Sequence, residues 1–569
     1  MVVGELTQER DLLIIGGGPA GYTAAIRAAQ GGRKVTLIEQ AELGGLCLNR
    51  GCIPSKVYAH AAEEMLRLPH LEDLGFTTPT VHDFSKLNAY RNRVVQQLRQ
   101  GVVALCQANQ IEHISGAASF LSEDRIGVES GHQFDTYRFQ DVIIATGSHS
   151  IQHEESCRLN AEQLYQLEQL PESLLIIGSD TLALEAAACF HALGTEVTLF
   201  ADQLSLEPSL EKELKRTFKK QKIRLVSDVV TRIEASSDAT VTVMKNGEEV
   251  AYQGAYLFQS LSRIPNSLTL GLERIGVTLA EDGMIPVDAY GQTNQPHIYA
   301  IGDVTPGPQL AIRAIHEAKR TAAHLAGQDV DSTTPYYPTV LRTFPPIASV
   351  GMTEQEAREA GHTVQSGQFP LNANGATTIE GGSGFVKVIA DEQTSLILGI
   401  HMIGDDAHRL VGQFTQALEL TAKREDLLFP VMAHPSRGEA LTESMEALFG
   451  QSIHLPPRQQ VGSRAESKEV SLRKNHFLGM RHFISCRKEN MVMELYFTRI
   501  QWNNHTFPVA ATADGLCYVG AWDEPEDLFD DWSRKHLPRA ERIASDTALA
   551  PYTEQLLAYL NQQSTTLSF

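Results

Sequence analysis

Short apolar runs that end in glycine-containing turns recur along the first half of the chain. The first run leads into IIGGGPAGYTAA, and the next, VTLIE, ends at Glu39. VIIATGS at residues 142–148 and LLIIGSDTLALEAAACF within residues 174–202 repeat the pattern. Apolar runs of this length bounded by turns predict buried strands, and the periodic apolar positions after them predict helices. The pattern therefore predicts strand-turn-helix units of an α/β protein.

The pattern changes twice toward the end of the chain. Residues 335–450 are typical of strands with a few helices. Between Arg458 and Glu489, eight Lys or Arg stand against three acids without clear periodicity, which predicts a flexible or partly ordered basic linker. Beyond it, MELYFTRI, FPVAATADGLCYVGAW and LAPYTEQLLAYLNQ predict alternating strands, a turn and a closing amphipathic helix.

Length and composition limit the kind of protein. The chain has 569 residues, which at ~100–200 residues per domain gives about three to five domains. No apolar run reaches the ~20 residues of a membrane span, and the polar first ten residues predict no secretory signal. Seven cysteines over this length predict a reducing, cytoplasmic location rather than a disulfide framework. A formal charge of −21 argues against nucleic acid as a partner.

Two motifs carry the candidate chemistry. The first is GxGxxG, which comprises Gly16, Gly18 and Gly21. Glu39 follows the motif at the end of the next apolar run, about 20 residues on, as a dinucleotide-binding βαβ unit requires. The second is GGLCLNRGCIPSK, in which Cys47 and Cys52 lie in a turn bounded by glycine and proline and are predicted to form a redox pair. The order of the two motifs, with the acid between them, is far more specific than GxGxxG alone.

At these residues the chain resembles the dihydrolipoamide dehydrogenase branch of the flavin disulfide reductases, whose signature reads CLNxGCIPSK. The resemblance covers about residues 1–457. It implies an α/β fold with two nested Rossmann-like FAD/NAD(P)-binding domains, an α+β dimerisation domain and a small α/β C-terminal extension. The implied boundaries are 1–147 and 265–330 for the FAD-binding domain, 148–264 for the NAD-binding-like domain, 335–457 for the dimerisation domain, 458–490 for the linker and 491–569 for the extension.

The resemblance also implies roles for individual residues. The implied FAD contacts are Gly16, Gly18, Gly21, Glu39, Lys56, Gly116, Gly147, Asp303 and Ala311. The implied NAD contacts are Gly178, Glu185 and Arg263, and no metal is predicted. Lys56 would pair with Glu185 beside the reactive edge of the flavin. Cys47 would exchange with the substrate and Cys52 would face the flavin, which requires lowered thiol pKa values because the thiolate is the reactive form.

A further catalytic motif, AHPSRGEA, lies near the end of the dimerisation segment. Glu439 follows His434 at a spacing that lets the carboxylate hold one imidazole tautomer, which predicts an acid-base pair. The resemblance implies that the partner subunit delivers His434, which takes a proton from a dihydrolipoyl thiol, so that catalysis needs a homodimer. The lipoyl group would arrive on a protein of a 2-oxoacid dehydrogenase or glycine-cleavage complex.

The second nucleotide-binding unit departs from the family pattern at three places. After Gly178, Asp180 stands where a glycine would let a pyrophosphate approach, and two like charges ~4 Å apart cost about 4 kcal/mol at an effective dielectric of 20. Ala201 replaces the ribose-binding acid, a loss of about 1.5–3 kcal/mol. Ser262 replaces a glycine on the nicotinamide side. Either NAD binds about 10²-fold or more below the family norm, or another electron partner has replaced it.

Three functions of different classes follow. The first is an FAD-dependent lipoamide-type dehydrogenase. The second is a paralogue impaired at the nicotinamide site that serves as a structural or regulatory dimer. The third is a DNA-alkylation-repair fusion, because residues 493–569 resemble the N-terminal ribonuclease-H-like domain of methylated-DNA-protein cysteine methyltransferases. The PCHR segment of that family is missing from this stretch, and Cys517 in GLCYVG is predicted to be a core residue.

Overall fold

The computed structural model describes residues 7–77, 83–456, 494–502, 505–512, 515–520, 525–537 and 540–561. The chain divides into two compact units, Met1–Gln459 and Gln460–Phe569. The predicted basic linker lies outside the described residues.

The N-terminal part of the first unit builds most of one sheet. Its strands and helices are β1 (Gln8–Ile15), α1 (Pro19–Gln30), β2 (Val35–Glu39), α2 (Gly45–Asn49), α3 (Cys52–Asp73), α4 (Phe84–Ala108), β3 (Glu112–Ser115), β4 (Ala117–Ser122), β5 (Arg125–Ser130) and β6 (Gln133–Ile144). The strand order is β3-β2-β1-β6-β5-β4. The first four strands of this order are parallel and the last two add an antiparallel edge. Leu12, Leu13 and Ile14 of β1 are fully buried, as expected for a parallel strand covered on both faces.

The next part of the chain builds a second parallel sheet. Its elements are β7 (Ser148–His149), β8 (Arg158–Leu159), α5 (Ala161–Leu164), β9 (Ser173–Ile177), α6 (Thr181–Leu193), β10 (Glu196–Phe200), α7 (Pro208–Gln221), β11 (Arg224–Val226), β12 (Val229–Ala235), β13 (Ala239–Lys245), β14 (Glu248–Gly254), β15 (Tyr256–Gln259) and β16 (Ile264–Pro265). The parallel order is β11-β10-β9-β15-β8, and β12-β13-β14 form a separate antiparallel sheet. β7 pairs with β16, so the chain enters and leaves this part side by side.

The chain then returns to the first sheet. Strand β17 (Ile298–Ala300) pairs in parallel with β6, and helix α8 (Ala311–Leu325) follows it. Ala314 and Ala318 of α8 are buried in the same core as Ala24 and Ala28 of α1, where small side chains allow the two helices to approach closely. In chain order, the second sheet is therefore inserted between two parts of the first sheet, which is the predicted nesting.

An antiparallel sheet with helices completes the first unit. Its elements are β18 (Thr339–Leu341), β19 (Ile347–Gly351), α9 (Glu354–Glu359), β20 (Val364–Pro370), α10 (Gly375–Ile379), β21 (Phe385–Asp391), β22 (Ile397–Ile403), α11 (Ala407–Glu419), α12 (Arg424–Leu428) and α13 (Glu439–Leu448), with strand order β18-β19-β22-β21-β20. Lys387 of β21 lies 2.7 Å from both Glu207, at the start of α7, and Glu354 of α9. Burial opposes ionisation, but hydrogen bonds from Lys387 and Ser366 lower the pKa of Glu354 to about 2.

The described residues of the second unit form a four-stranded sheet with two helices. Its elements are β23 (Glu494–Trp502), β24 (His505–Thr512), β25 (Gly515–Val519), α14 (Glu526–His536), β26 (Glu541–Ala544) and α15 (Asp546–Leu560). The strand order is β25-β24-β23-β26, with the first three antiparallel and β26 parallel to β23. Cys517 packs against the small core of Leu495, Tyr518 and Phe529.

The predicted fold class is confirmed. The chain contains two Rossmann-like units, one inserted into the other, followed by an α+β segment and a small α/β extension. The predicted domain boundaries remain predictions. None of the described helices combines the length and apolar character that crossing a membrane requires.

Candidate active site

Two glycines of the loop between β1 and α1 stand where no side chain fits. Gly16 has φ +104°, and a Cβ there would lie 2.3 Å from the Ala145 carbonyl oxygen. A Cβ on Gly21 would lie 1.7 Å from the Gly16 carbonyl oxygen. Gly18 immediately precedes α1, and no side chain in the described part of the chain caps that helix start. Its first N–H groups are therefore available to an anion.

Glu39, at the end of β2, reaches back to this loop. Its Oε2 accepts a hydrogen bond from Gly17 N at 2.6 Å, and its Oε1 accepts one from Ala41 N at 2.7 Å. The carboxylate is buried. Gly116 follows the neighbouring strand and donates its N–H to the Glu39 carbonyl at 2.9 Å.

The CxxxxC segment is attached directly to the glycine loop. Gly44 N donates to the Gly17 carbonyl oxygen at 2.8 Å, and a Cβ on Gly45 would come within 2.6 Å of Gly18 Cα. Cys47 in α2 and Cys52 at the start of α3 form a disulfide with a Cα–Cα distance of 4.7 Å. The disulfide thus lies next to the uncapped end of α1.

The other thiols of the first unit are unsuited to this chemistry. Cys106, Cys157 and Cys189 are buried and unpaired by disulfides. Burial raises the pKa of Cys106, and burial together with the nearby Glu185 carboxylate raises that of Cys189 far more. Because the thiolate is the nucleophile, the raised pKa values make Cys106 and Cys189 poor nucleophiles.

The predicted contact between Lys56 and Glu185 is present. Lys56 Nζ in α3 lies 2.6 Å from Glu185 Oε2 in α6. The other carboxylate oxygen of Glu185 accepts a hydrogen bond from Arg342 N at 2.7 Å. Glu185 is only 3% exposed, so α3, α6 and the chain after β18 meet at one buried carboxylate.

Asp303 lies in the turn after β17, close to the site where β7 pairs with β16. It accepts a hydrogen bond from Ser148 Oγ at 3.0 Å and forms an ion pair with Arg263. The sequence predicted Arg263 for the nicotinamide site, whereas the structure places its guanidinium on a carboxylate predicted for FAD. Gly147, with φ +70°, precedes Ser148, and Ala311 is the first residue of α8.

The second glycine loop differs from the first at the helix start. Gly178 has φ +149° and follows β9 as Gly16 follows β1. Asp180 caps α6, because its Oδ1 accepts from Ala183 N at 2.9 Å and its Oδ2 accepts from Ser260 Oγ at 2.6 Å. The sequence predicted a charge that repels a pyrophosphate; in the structure the carboxylate itself occupies the helix start. Ala201, just after β10, is buried.

His434 and Glu439 form the predicted pair. His434 Nδ1 lies 2.8 Å from Glu439 Oε1, and Ser436 N donates to Glu439 Oε2 at 2.7 Å. Burial opposes ionisation, but the hydrogen bonds from Ser436 and His434 lower the pKa of Glu439. The imidazole is 80% exposed. Within one chain, the described contacts do not join this pair to the disulfide.

Sequence reasoning missed the partners that come from distant segments. Ser260 and the Arg342 backbone carry no motif, and VIIATGS does not reveal the partner of Ser148; each meets its carboxylate only through the tertiary fold. Gly44 and Gly45 were visible as part of GGLCLNRGC, but their contact with the glycine loop was not.

Family models match most of the first unit. Residues 10–318 match the pyridine nucleotide-disulphide oxidoreductases, and residues 337–445 match the dimerisation domain of that family. The chain is 35% identical over 469 residues to the dihydrolipoyl dehydrogenase of Bacillus subtilis, covering 80% of this chain and 100% of the relative. It is 37% identical over 460 residues to the dihydrolipoyl dehydrogenase of Thermus scotoductus, covering 78% and 98%.

Solved structures show the same fold. The HOCl-induced flavoprotein disulfide reductase RclA from Escherichia coli aligns with a TM-score of 0.68 at 26% identity, covering 77% of this chain and 99% of that chain. LpdA from Mycobacterium tuberculosis aligns with a TM-score of 0.71 at 24% identity, with the same coverage, and supports the fold alone. The motifs, the disulfide and these matches agree, and the chain belongs to the pyridine nucleotide-disulphide oxidoreductases, with dihydrolipoyl dehydrogenases among its relatives.

Proposed function

We propose that the protein oxidises protein-bound dihydrolipoyl groups with FAD and the Cys47–Cys52 disulfide, and passes the electrons to NAD. The observation that carries the proposal is the disulfide loop held on the first glycine loop by the Gly44–Gly17 hydrogen bond of 2.8 Å. This arrangement puts a reducible sulfur pair beside a dinucleotide-binding helix start. The relatives named dihydrolipoyl dehydrogenase support the same reaction.

The first glycine loop fits FAD. The helix start of α1 has no side-chain cap among the described residues, and Gly16 and Gly21 stand where a Cβ would collide with backbone. Glu39 supplies a buried carboxylate of the kind that accepts hydrogen bonds from a ribose. We assign the pyrophosphate to the α1 end and the ribose to Glu39. Bound FAD supplies a two-electron carrier between the dithiol and NAD.

The protein's own groups account for the proton and sulfur steps. A thiolate of the dihydrolipoyl group attacks one sulfur of the disulfide, and we assign that sulfur to Cys47. The resulting mixed disulfide is resolved by the second lipoyl thiolate, which leaves lipoyl oxidised to its disulfide and the cysteine pair reduced to a dithiol. We assign removal of the lipoyl thiol proton to His434, held by Glu439.

The chain carries the dimerisation domain of its family and forms a homodimer. The exposed imidazole of His434 fits delivery to the disulfide of the partner subunit. Val431 and Phe429, which precede it, expose 99% and 66% of their surface in one chain, as residues of an obligate interface do. We propose that the substrate protein carries its lipoyl group into the cleft between the two subunits.

An anaerobic titration tests the proposal. Dihydrolipoamide should reduce the purified yellow protein and produce a long-wavelength charge-transfer absorbance, and NAD should then restore the oxidised spectrum. A colourless preparation that cannot be reconstituted with FAD would refute the proposed function, as would a flavoprotein that dihydrolipoamide does not reduce.

The strand order of the C-terminal unit supports a separate proposal. The order β25-β24-β23-β26, with three antiparallel strands and β26 parallel to β23, supports a ribonuclease-H-like fold. We propose that it is a partial counterpart of the N-terminal domain of methylated-DNA-protein cysteine methyltransferases. Cys517 lies in the strand β25 against core residues, which argues for packing rather than alkyl transfer. We further propose a cytoplasmic location, in line with the buried thiols of the first unit.

A further inference from the structure

The loop that carries His434 is held at two backbone positions. Asn374 Nδ2, at the start of α10, donates to the Ser436 carbonyl oxygen at 2.8 Å. Ser436 N donates to Glu439 Oε2 at 2.7 Å. Since the described hydrogen bonds of the imidazole are limited to Glu439, the direction of His434 depends on how firmly this loop is held.

A third anchor comes from a buried cation in the same loop. Arg437 is only 5% exposed in its side chain. Its Nη2 lies 2.8 Å from Glu380 Oε2 and 3.6 Å from Asp405 Oδ2, and its Nη1 pairs with Asp406. Glu380 ends α10, and Asp405 and Asp406 form the turn before α11. One guanidinium therefore joins the His434 loop to two helices.

The charges around Arg437 make this anchor hard to replace. Three carboxylates converge on one guanidinium. Burial raises the pKa of Asp405, and Arg437 opposes that rise. Removing the cation would leave these clustered acids uncompensated and favour rearrangement of the loop. Lysine is a poor substitute because a point charge cannot bridge the three acids as a planar fork does.

We propose that Arg437 is a positioning residue that sets the direction of the His434 imidazole toward the lipoyl thiol. The inference rests on the proposed function, in which His434 is the base. The described ion pairs of Arg437 are with carboxylates that flank the loop, so it acts on His434 through the loop. A misplacement of about 1 Å in such a group can cost about 10²-fold in rate.

A double-mutant cycle tests the inference on the full-length flavoprotein. The variants are Arg437→Gln, Arg437→Lys, His434→Ala and the two Arg437 changes combined with His434→Ala. The measurement is the rate at which dihydrolipoamide produces the charge-transfer absorbance in a stopped-flow instrument, with dimer mass, flavin content and NADH-driven ferricyanide reduction recorded for each variant. Arg409→Gln is the matched control, because Arg409 pairs with the same Asp406 at 2.9 Å but is 65% exposed on α11.

We expect Arg437→Gln to slow the lipoyl step by about 10- to 100-fold, Arg437→Lys to slow it less, and Arg409→Gln to leave it unchanged. In the His434→Ala background both Arg437 changes should have no further effect, since groups that act through one another are not additive. Arg437→Lys keeps the test valid if the neutral variant loses the dimer.

The outcomes separate the two ideas. If His434→Ala slows the lipoyl step and the Arg437 changes do not, the positioning role is overturned. It is also overturned if the Arg437 changes slow the His434→Ala variant by the same factor as they slow the parent. If His434→Ala leaves the rate unchanged, the proposed base is overturned and the positioning role with it. Equal loss of ferricyanide reduction in Arg437→Lys would also overturn the role, since that reaction does not use the lipoyl substrate.

Discussion

Replacing Asp180 by glycine should strengthen NAD binding. Asp180 holds the start of α6 with its own carboxylate, through Ala183 N at 2.9 Å and Ser260 Oγ at 2.6 Å. A pyrophosphate that approaches this helix must displace that carboxylate or be repelled by it. Asp180→Gly removes the resident anion and restores the residue that permits close backbone approach.

The magnitude follows from the contacts that NAD would have to break. The cap is worth about 1 kcal/mol, and the hydrogen bond from Ser260 adds about 1–1.5 kcal/mol. The exposed position of Asp180 reduces any further repulsion. A free-energy cost of about 2–2.5 kcal/mol on NAD binding corresponds to roughly 30- to 60-fold in affinity. Adding Ala201→Glu should contribute more by restoring a ribose acceptor, as Glu39 does at the end of β2.

Calorimetric titration with NAD measures the effect, with the protein oxidised so that turnover does not interfere. Asp180→Asn is the control that separates charge from capping, because asparagine caps a helix as well as aspartate does but carries no charge. We expect its dissociation constant to fall between those of the parent and Asp180→Gly. A parent that already binds NAD in the low micromolar range, with no gain in the double variant Asp180→Gly/Ala201→Glu, would refute the reasoning.

Three more outcomes are expected. Cys52→Ser should abolish the charge-transfer absorbance while leaving FAD bound, and a surviving band would assign the flavin-facing sulfur to the other cysteine. Lys387→Met should lower the free energy of unfolding in urea by about 3–5 kcal/mol, because it leaves a buried carboxylate unpaired. In the parent, Glu354 has a pKa of about 2, so its contribution to the free energy of unfolding is complete above the unfolded pKa of about 4.5. That contribution is lost as the pH falls toward 2. Ending the chain at residue 458 should leave a folded flavin dimer with unchanged lipoyl chemistry, since the first compact unit ends at Gln459; dissociation of the shortened protein would contradict this.

Local motifs were predictable from the sequence, because their chemistry depends on neighbours within one turn or loop. Gly21 is required by a contact inside the loop itself, because a Cβ there would collide with the Gly16 carbonyl oxygen. The disulfide joins two residues five apart in sequence, in α2 and at the start of α3, and His434 meets Glu439 across a single helix start. Each of these arrangements is fixed by spacing and side-chain type alone.

Contacts between distant segments were not predictable. Ser260 meets Asp180 across 80 residues, and Arg263 meets Asp303 across 40. The sequence showed the negative charge at Asp180 but not its hydrogen bond with Ser260, because that contact depends on where β15 ends relative to α6. The proposed role of Arg437 was hidden for the same reason: its three acids lie just after α10 and in the turn before α11.

In the proposed function the two glycine loops have different tasks, which accounts for the closed helix start at one of them. FAD is there the resident cofactor, so the α1 end gains from being open to a pyrophosphate and from the buried Glu39 beside it. NAD must bind and leave in every cycle. Affinity that is equal for the bound substrate and the transition state lowers KM without raising kcat. Asp180 caps α6 while no NAD is bound. Its carboxylate therefore raises KM for NAD and does not slow the chemical step. This difference predicts that Asp180→Gly lowers KM for NAD while kcat at saturating NAD stays the same or falls if release becomes slower.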